Sequence, residues 1–279
     1  MQKETSKISE YKKLLEDFDI RPNKKLGQNF IFDENIFKKI ALTIDPQDCD
    51  LVIEIGPGLG GLTRSLLKLG ARKVLLIEKD KKFIPILRKL QVMYPNQIEI
   101  INADVMNYSF SSLTEKKIRI ISNLPYNIGT KILTKLLLYQ YTDPKFDKMT
   151  LMFQKEVANR IIAKKKSKTY GRLSIISQYM YECAVSFDLK AKCFYPAPKV
   201  DSSVVTFNYL NSSLRPNIEV VQEITRLAFG QRRKKIKSSL KNIISEENLI
   251  KKYKLNPDLR PEDLSVEDYI KLSYLYEKG

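Results

Sequence analysis

The sequence predicts an α/β fold in which a parallel sheet carries helices on both faces and a small all-helical domain follows. Short apolar runs alternate with helix-length segments from residue 51 to about 153, which is typical of strand-helix-strand crossover units. A linker-like stretch lies at 211–217, and beyond it every periodic segment has helical spacing. We therefore predict an N-terminal extension over 1–20, an α/β domain over 21–210 and a helical domain over 211–279.

Short apolar runs bounded by polar or turn residues locate the strands of the large domain. The first five predicted strands lie at 51–55, 74–77, 98–101, 118–121 and 149–153. Two later runs, at 185–189 and 203–209, are predicted to be strands that pair antiparallel at one edge of the sheet.

Helices are predicted between these strands and throughout the C-terminal region. Asp33 occupies an N-cap position before an apolar-periodic stretch that ends at Leu42, and Ser265 with Asp268 forms a capping box for the last helix. The other helices of the large domain are expected at about 62–69, at 83–90 and before Tyr139. Those of the helical domain are expected at 218–229, 233–245 and 265–277.

Composition excludes several classes of function. Lys and Arg number 49 against 32 Asp and Glu, so the formal net charge is +17, which favours a polyanionic partner, although a lysine-rich solvated surface would give the same balance. The absence of histidine excludes a histidine base or metal ligand. Cys49, Cys183 and Cys193 are far apart, so we expect neither disulfides nor a metal site. With no long apolar run, no membrane contact is expected, and the cysteine pattern fits a reducing cytoplasm. The chain is expected to be a monomer.

A glycine-rich turn, 56–61, lies between a predicted strand and a predicted helix. Glycines allow a ligand to approach the backbone, and the helix N-terminus presents free N–H groups. Glu78, at the end of the next strand, is placed to accept hydrogen bonds from ribose hydroxyls. The turn is compatible with a nicotinamide cofactor, with S-adenosylmethionine or with a purely structural role. Asp104, after the third strand, would reach an adenine amino group, but it is equally compatible with a turn or cap acid.

The tetrapeptide Asn123-Leu124-Pro125-Tyr126 follows the fourth strand and suits the methylation of an aromatic amine. The lone pair of such an amine is delocalised into the ring. Two acceptors, the Asn123 side-chain oxygen and the Leu124 carbonyl, would take hydrogen bonds from its hydrogens and localise that pair. Pro125 fixes the turn and Tyr126 offers a ring for stacking. An ordinary strand-exit turn is the alternative interpretation.

Eight segments in this order resemble the ribosomal RNA adenine dimethyltransferase family, in the form that acts on the bacterial small subunit. The resemblance implies a Rossmann-like methyltransferase domain, S-adenosylmethionine as cofactor and dimethylation of two adjacent adenosine N6 amines. These adenosines lie in a hairpin loop near the 3′ end of small-subunit RNA on the assembling 30S particle. The segments are 25–30, 54–60, 77–78, 103–105, 123–128, 153–157, 194–202 and 228–234.

By resemblance, most site residues surround the cofactor. The residues expected to bind it are Gln28, Asn29, Ile31, Gly56, Gly58, Glu78, Lys79, Asp104, Val105 and Asn123. The residues expected at the reacting amine are Asn123, Leu124, Pro125 and Tyr126, with Phe194 on the other face of the flipped base. Phe194 is also compatible with a core position.

Two basic runs, 164–172 and 231–254, are expected to contact RNA phosphates, although each also suits a solvated helix face. The cations assigned to RNA are Lys164, Lys165, Lys166, Lys199, Arg232, Arg233, Lys234 and Lys235. Two other functions stay open: a large-subunit RNA methylase that confers macrolide resistance, and a non-catalytic ribosome-assembly factor. A nicotinamide oxidoreductase is disfavoured because no typical proton-transfer residue accompanies the glycine turn.

Overall fold

The computed structural model describes residues 11–23, 27–211 and 215–278. Parts of three predictions lie outside these residues: 1–10 of the N-terminal extension, Lys25 and Leu26 of the first motif, and 212–214 of the linker.

The strands of the described residues are β1 (Phe30–Ile31), β2 (Leu51–Ile55), β3 (Val74–Glu78), β4 (Ile98–Asn102), β5 (Ile118–Asn123), β6 (Phe146–Gln154), β7 (Tyr181–Leu189), β8 (Phe194–Tyr195) and β9 (Ser202–Tyr209). β2 to β7 and β9 form a seven-stranded sheet in the order β4-β3-β2-β5-β6-β9-β7, and a two-stranded sheet pairs β1 with β8. Neighbours from β4 to β6 run parallel, whereas β9 runs antiparallel to β6. This mixed sheet between helices confirms the predicted α/β class.

Helices occupy the predicted crossovers and most of the C-terminal region. The first, α1, is seen over residues 11–17. The others are α2 (Glu34–Leu42), α3 (Gly61–Lys68), α4 (Ile84–Met93), α5 (Gly129–Thr142), α6 (Lys155–Ile161), α7 (Arg172–Gln178), α8 (Ile218–Gly230), α9 (Ile236–Ser239), α10 (Glu246–Lys251) and α11 (Val266–Glu277). Asp33 caps α2 by accepting from the amides of Asn35 and Ile36, as its position predicted. None of the helices in the described part of the chain is long and apolar enough to cross a bilayer.

The register of the parallel strands brings their carboxyl ends to one edge of the sheet. Ile55 at the end of β2 lies beside Ile77, and Glu78 at the end of β3 lies beside Asn102. β2 and β3 are buried along their whole length, which explains why their sequences are almost uninterrupted apolar runs. The turns that follow β2, β3, β4 and β5 therefore meet at the edge where open α/β sheets bind ligands.

The chain forms two compact units. The first extends to Ala158 and includes Ala184–Asn208, and the second comprises Asn159–Cys183 and the residues from Tyr209 onward. Segment 159–183 thus belongs with the C-terminal helices, which the sequence did not indicate. In the second unit, the Phe229 ring packs between Tyr170 and Tyr269, with ring centroids 6.1 Å and 5.9 Å apart.

The predicted helix over 233–245 is wrong. Only Ile236–Ser239 is helical, turns follow, and a separate helix begins at Glu246. The Ser245 hydroxyl caps that new helix by accepting from the amide of Asn248 at 3.2 Å. Serine and asparagine side chains compete for backbone hydrogen bonds, so this stretch breaks where apolar spacing alone suggests continuity.

Candidate active site

One cavity at the carboxyl edge of the sheet gathers most of the predicted site residues. It is also lined by the glycine turn and by apolar side chains such as Phe83 and Ile132. The predicted residues that line it are Gln28, Asn29, Ile31, Gly56, Gly58, Glu78, Lys79, Asp104, Val105, Asn123, Leu124 and Pro125. Tyr126 and Phe194 are not among the lining residues.

The turn after β2 exposes backbone rather than side chains to this cavity. Gly56 has φ of 70°, in the left-handed region that glycine adopts readily. A Cβ built on Gly56 would meet no atom within 4 Å, so the space beside it is open. The turn ends at Gly60, which is the N-cap of α3. A ligand can therefore lie directly against the main chain at Gly56, near the N-terminus of a helix.

Glu78 is held in one orientation by the backbone. Its Oε2 accepts from the Gly58 amide at 3.1 Å and its Oε1 accepts from the Asp80 amide at 2.7 Å. Burial raises the pKa of Glu78, while these two hydrogen bonds oppose the rise. Each carboxylate oxygen keeps a further lone pair, so Glu78 can still accept from the hydroxyls of a ligand.

Asp104 is fixed in the same way at the end of the cavity beyond β4. Its Oδ1 accepts from the Met106 amide at 2.9 Å, and its Oδ2 pairs with the Lys79 ammonium at 2.8 Å. The hydrogen bond from Lys79 lowers the pKa of Asp104, which keeps the carboxylate ionised at neutral pH. An ionised acceptor here suits an exocyclic amine of a bound base.

Asn123 is the last residue of β5, and its side-chain amide is oriented by the loop that precedes α2. The Nδ2 atom donates to the backbone oxygen of Asn29 at 3.2 Å. Because this bond fixes which end of the amide is the donor, the Oδ1 atom is presented as an acceptor. Leu124, the next residue, has its side chain buried, and its position is fixed by packing.

The loop that carries Asn29 is itself joined to the segment that follows β3. The Gln28 side chain donates to Asp80 Oδ2 at 3.0 Å and accepts from the Asn23 amide at 2.9 Å. The Phe30 ring packs edge-on against Phe83, with centroids 5.7 Å apart. Sequence reasoning did not identify Asp80, which follows the predicted ligands Glu78 and Lys79 and holds this loop.

The two predicted stacking aromatics lie in different surroundings. The Tyr126 hydroxyl hydrogen bonds with the hydroxyl of Ser202, which fixes the ring. Phe194 is buried in the hydrophobic core, on a strand that pairs with Ile31. Its neighbour Tyr195 is 47% exposed and packs against Phe32, with ring centroids 5.7 Å apart. The stacking roles of Tyr126 and Phe194 stay predictions.

Glu54 lines the same cavity, although sequence reasoning did not single it out. It is only 2% exposed, and the Thr63 hydroxyl donates to its Oε2 at 2.6 Å. Burial raises the pKa of Glu54 to about 8. The sequence did offer a signal, because Glu54 is an acid inside the otherwise apolar run of β2. Acidic side chains are seldom fully buried, so one in a buried strand is a candidate functional residue.

We expect Glu54→Gln to flatten the pH dependence of stability. The folded-state pKa lies above the unfolded value, so ionisation destabilises the fold as the pH rises from about 4.5 to about 8. Glutamine still accepts from Thr63 but cannot ionise. The variant should match the parent near pH 5 and exceed its unfolding free energy near pH 8 by on the order of 2 kcal/mol.

Thermal and denaturant unfolding between pH 5 and 9, without added ligands, measures this difference. Glu156→Gln, at an exposed position, is the matched control and should change little. The same pH slope in parent and Glu54→Gln would contradict the assignment. The burial-raised pKa of Glu78 acts in the same direction, so some slope should persist in the variant.

In the second unit, the cations predicted to bind RNA are not equivalent. Arg232 donates to Glu262 at 2.5 Å, to the Lys168 backbone oxygen at 2.9 Å and to the Ser167 backbone oxygen at 3.2 Å. Its guanidinium group therefore binds the loop at residues 167–168 and Glu262, and fewer of its N–H groups are left for a ligand. Lys235 pairs with Asp258 at 3.1 Å.

The remaining predicted cations are more available to a ligand. Among the described residues, no ion pair within 4.0 Å involves the side chains of Lys164, Lys165, Lys166, Lys199, Arg233 or Lys234. Lys199 lies in the first unit, in the exposed stretch after Phe194.

Among the described residues, no group of three or more His, Cys, Asp or Glu side chains is arranged to hold a metal ion.

Comparisons with known proteins agree with the geometry. The family model described as ribosomal RNA adenine dimethylase matches residues 20–278. A ribosomal RNA small subunit methyltransferase A from Agrobacterium fabrum is 42% identical over 252 residues, 90% of this chain and 91% of its own length. The protein of the same name from Brucella anthropi is 42% identical over 267 residues, 95% of each chain.

Solved structures give the same result for the fold. A dimethyladenosine transferase from Plasmodium falciparum superimposes with a TM-score of 0.75 and 26% identity, over 87% of this chain and 95% of that one. The 23S rRNA methyltransferase ErmE gives a TM-score of 0.68 at 24% identity, over 90% of this chain and 100% of that one, and shows the shared fold. On the family model and these relatives together, the chain belongs to the ribosomal RNA adenine dimethylase family.

Proposed function

We propose that this chain transfers methyl groups from S-adenosylmethionine to the N6 amines of two adjacent adenosines near the 3′ end of small-subunit ribosomal RNA. Membership of the adenine dimethylase family supports the reaction, and the names of its relatives support the small subunit as target. The observation that carries the proposal is the Asn123 amide, oriented by Asn29 at the rim of a cavity that Glu78 and Asp104 also line.

The chemistry of the cavity fits S-adenosylmethionine. Glu78 presents a fixed carboxylate for ribose hydroxyls, and Asp104 presents an ionised one for the adenine amine. The open space beside Gly56 leaves room for the middle of the cofactor against the main chain. Asn29 and Ile31 would hold its methionine end. When bound, this cofactor supplies an electrophilic methyl group on a sulfonium sulfur that departs as a neutral thioether.

The residues at the carboxyl end of β5 would make the target amine nucleophilic. Asn123 Oδ1 and the Leu124 carbonyl oxygen would accept hydrogen bonds from its two N–H groups, which draws the lone pair out of conjugation with the ring and toward the methyl group. These acceptors are fixed in advance by β5 and by the bond to Asn29, so little reorganisation accompanies the reaction. The alkylated amine is acidic and loses its proton to water, so no side-chain base is needed.

Dimethylation requires the same site to act twice on each adenosine. After the first transfer the amine carries one hydrogen, so only one of the two acceptors can be used in the second.

We propose that the substrate is the small-subunit particle during assembly in the cytoplasm, with the RNA held by the exposed cations of both units.

The deciding experiment offers labelled S-adenosylmethionine to undermethylated small subunits, large subunits and naked RNA. Dimethyladenosine in small-subunit RNA is the expected product. Transfer to large-subunit RNA alone would overturn the target and favour the second methylase class. Cofactor binding without transfer to any of the three would favour the assembly-factor alternative.

Exposed and paired cations of the second unit should contribute differently to RNA binding. We expect the double variant Arg233→Ala/Lys234→Ala to weaken binding to the particle and to reduce the slope of log K against log salt by about 1 to 2. Fewer phosphate contacts form, so fewer counterions are released on binding. Filter binding or fluorescence anisotropy between 50 mM and 300 mM salt measures both quantities.

Arg232→Ala is the informative comparison for that experiment. Because Arg232 is bound to Glu262 and to two carbonyl oxygens, its loss should lower the unfolding free energy by about 1 to 3 kcal/mol. A salt slope that falls for Arg232→Ala but stays unchanged for the double variant would contradict this division of roles.

A further inference from the structure

Lys135 makes an unusual set of contacts with the turn that follows β4. This residue lies on α5, and its side chain is partly buried. Its ammonium donates to three backbone oxygens of that turn: Val105 at 2.7 Å, Met106 at 2.9 Å and Tyr108 at 2.6 Å. An ammonium group has three hydrogens, so all of them are used within one turn.

The same turn carries the acid expected at the adenine end of the cavity. The Asp104 carboxylate accepts from the Met106 amide at 2.9 Å, and the Asp104 backbone oxygen accepts from the amide of Asn107 at 2.9 Å. These local bonds shape the turn, and the Lys79 ammonium joins the Asp104 carboxylate to the residue that follows β3. The three bonds from Lys135 join the backbone oxygens of the turn to α5.

α5 begins at Gly129, just after the segment that holds Asn123 and Leu124. Ile132 of this helix lines the cavity, and Leu133 and Leu136 of the same helix are buried. The helix is therefore a rigid support shared by the amine end and the adenine end of the cavity. Lys135 transmits the position of that support to the Asp104 turn.

We propose that Lys135 is a positioning residue that sets the affinity and selectivity of this site for the adenine group of the cofactor. It does not touch the cofactor itself; it holds the carbonyl side of the turn so that Asp104 and Val105 face the cavity. This inference rests on the proposed function, since it assumes that Asp104 accepts from the adenine amine.

A second contact offers the turn a different anchor, and the test must separate the two. Phe110 is fully buried and packs edge-on against Tyr139 and Phe146, at 5.1 Å and 5.4 Å between centroids. If this aromatic cluster alone holds the segment, the charge on Lys135 contributes little to the position of Asp104.

The experiment measures equilibrium binding of S-adenosylhomocysteine and of its inosine analogue, in which the 6-amino group is replaced by an oxygen. Lys135→Met keeps the apolar stem and removes the donors. We expect it to weaken the binding of S-adenosylhomocysteine about tenfold and that of the inosine analogue much less. The ratio of the two affinities should therefore fall by roughly the same factor, equivalent to about 1.4 kcal/mol. In turnover, the KM for S-adenosylmethionine should rise while kcat stays within about twofold.

Three further variants complete the test. Lys131→Met, on the exposed side of α5 one turn earlier, should leave both affinities unchanged. Lys135→Arg, which restores donors, should recover part of the discrimination. Lys135→Gln, with a single amide donor group, is the milder substitution if the methionine variant does not fold, and it should lose selectivity for the adenosine form.

Each result has a definite meaning. A parent chain that does not bind S-adenosylhomocysteine overturns the proposed function. A parent that binds it, with a Lys135→Met variant of equal affinity and selectivity, overturns the role of Lys135 alone. Equal weakening of both ligands would also overturn it, because the effect would then not be directed at the adenine end.

Discussion

Replacing Asn123 by alanine should reduce methyl transfer by about 100-fold or more while leaving RNA binding within about threefold, because the lost group is a fixed dipole that acts on the reacting amine. The alanine variant removes the Oδ1 acceptor and also the donor to Asn29. Single-turnover assays with labelled cofactor on undermethylated small subunits measure the transfer, and particle binding is measured separately.

A second substitution separates acceptance from orientation. Asn123→Asp keeps an acceptor oxygen but replaces the atom that donates to the Asn29 carbonyl, so two oxygens would face each other. We expect its rate to lie between those of the parent and the alanine variant. Asn208→Ala, at an exposed position on β9, is the control. Equal losses of transfer and RNA binding in a folded Asn123→Ala would contradict the proposed role.

The second large effect is expected from Gly61→Ala. Gly61 is the first residue of α3, and a Cβ at this position would lie 2.2 Å from Cε2 and 2.4 Å from Cζ of the Phe37 ring on α2. Phe37 is buried, so the ring cannot simply turn toward solvent. We expect the unfolding free energy to fall by about 3 kcal/mol and cofactor affinity to fall with it, because both residues line the cavity.

Repacking the contact should recover the loss. In Gly61→Ala/Phe37→Leu, the smaller side chain makes room for the added methyl group, so the double variant should be more stable than Gly61→Ala alone. Gly230→Ala is the matched control, since a Cβ there would meet nothing within 4 Å. Chemical denaturation measures all four chains, and a Gly61→Ala as stable as the parent would show that α2 and α3 are not packed as described.

Much of the first unit was accessible from sequence because its signals are local. The apolar runs at 51–55 and 74–77 correspond to β2 and β3, and the pattern before Tyr139 corresponds to α5. Parallel strands buried on both faces leave few other interpretations of such runs. The second unit was harder, because the break after Ser239 depends on side-chain hydrogen bonds that apolar spacing does not register.

The cavity shows the same contrast. Glu78 follows the predicted strand 74–77 directly and Asp104 lies just beyond the predicted strand 98–101, so their approach to one edge could be expected from topology alone. The contacts of Lys135 and Arg232 could not, because each depends on backbone oxygens from a segment distant in sequence. Phe194 shows the limit of resemblance: the motif identifies the residue, but its burial is set by the pairing of β1 with β8.

The second unit is assembled from two stretches of chain, and this has a consequence for synthesis. Helix α7 is made about 40 residues before α8 begins and nearly 100 before α11 is complete, yet these three helices pack on one another. At ribosomal speeds of about 5–20 residues per second, α7 waits for seconds with its apolar side uncovered. α11 therefore completes the packing of this unit, and we expect nascent chains in which α11 has not yet been made to depend on chaperones.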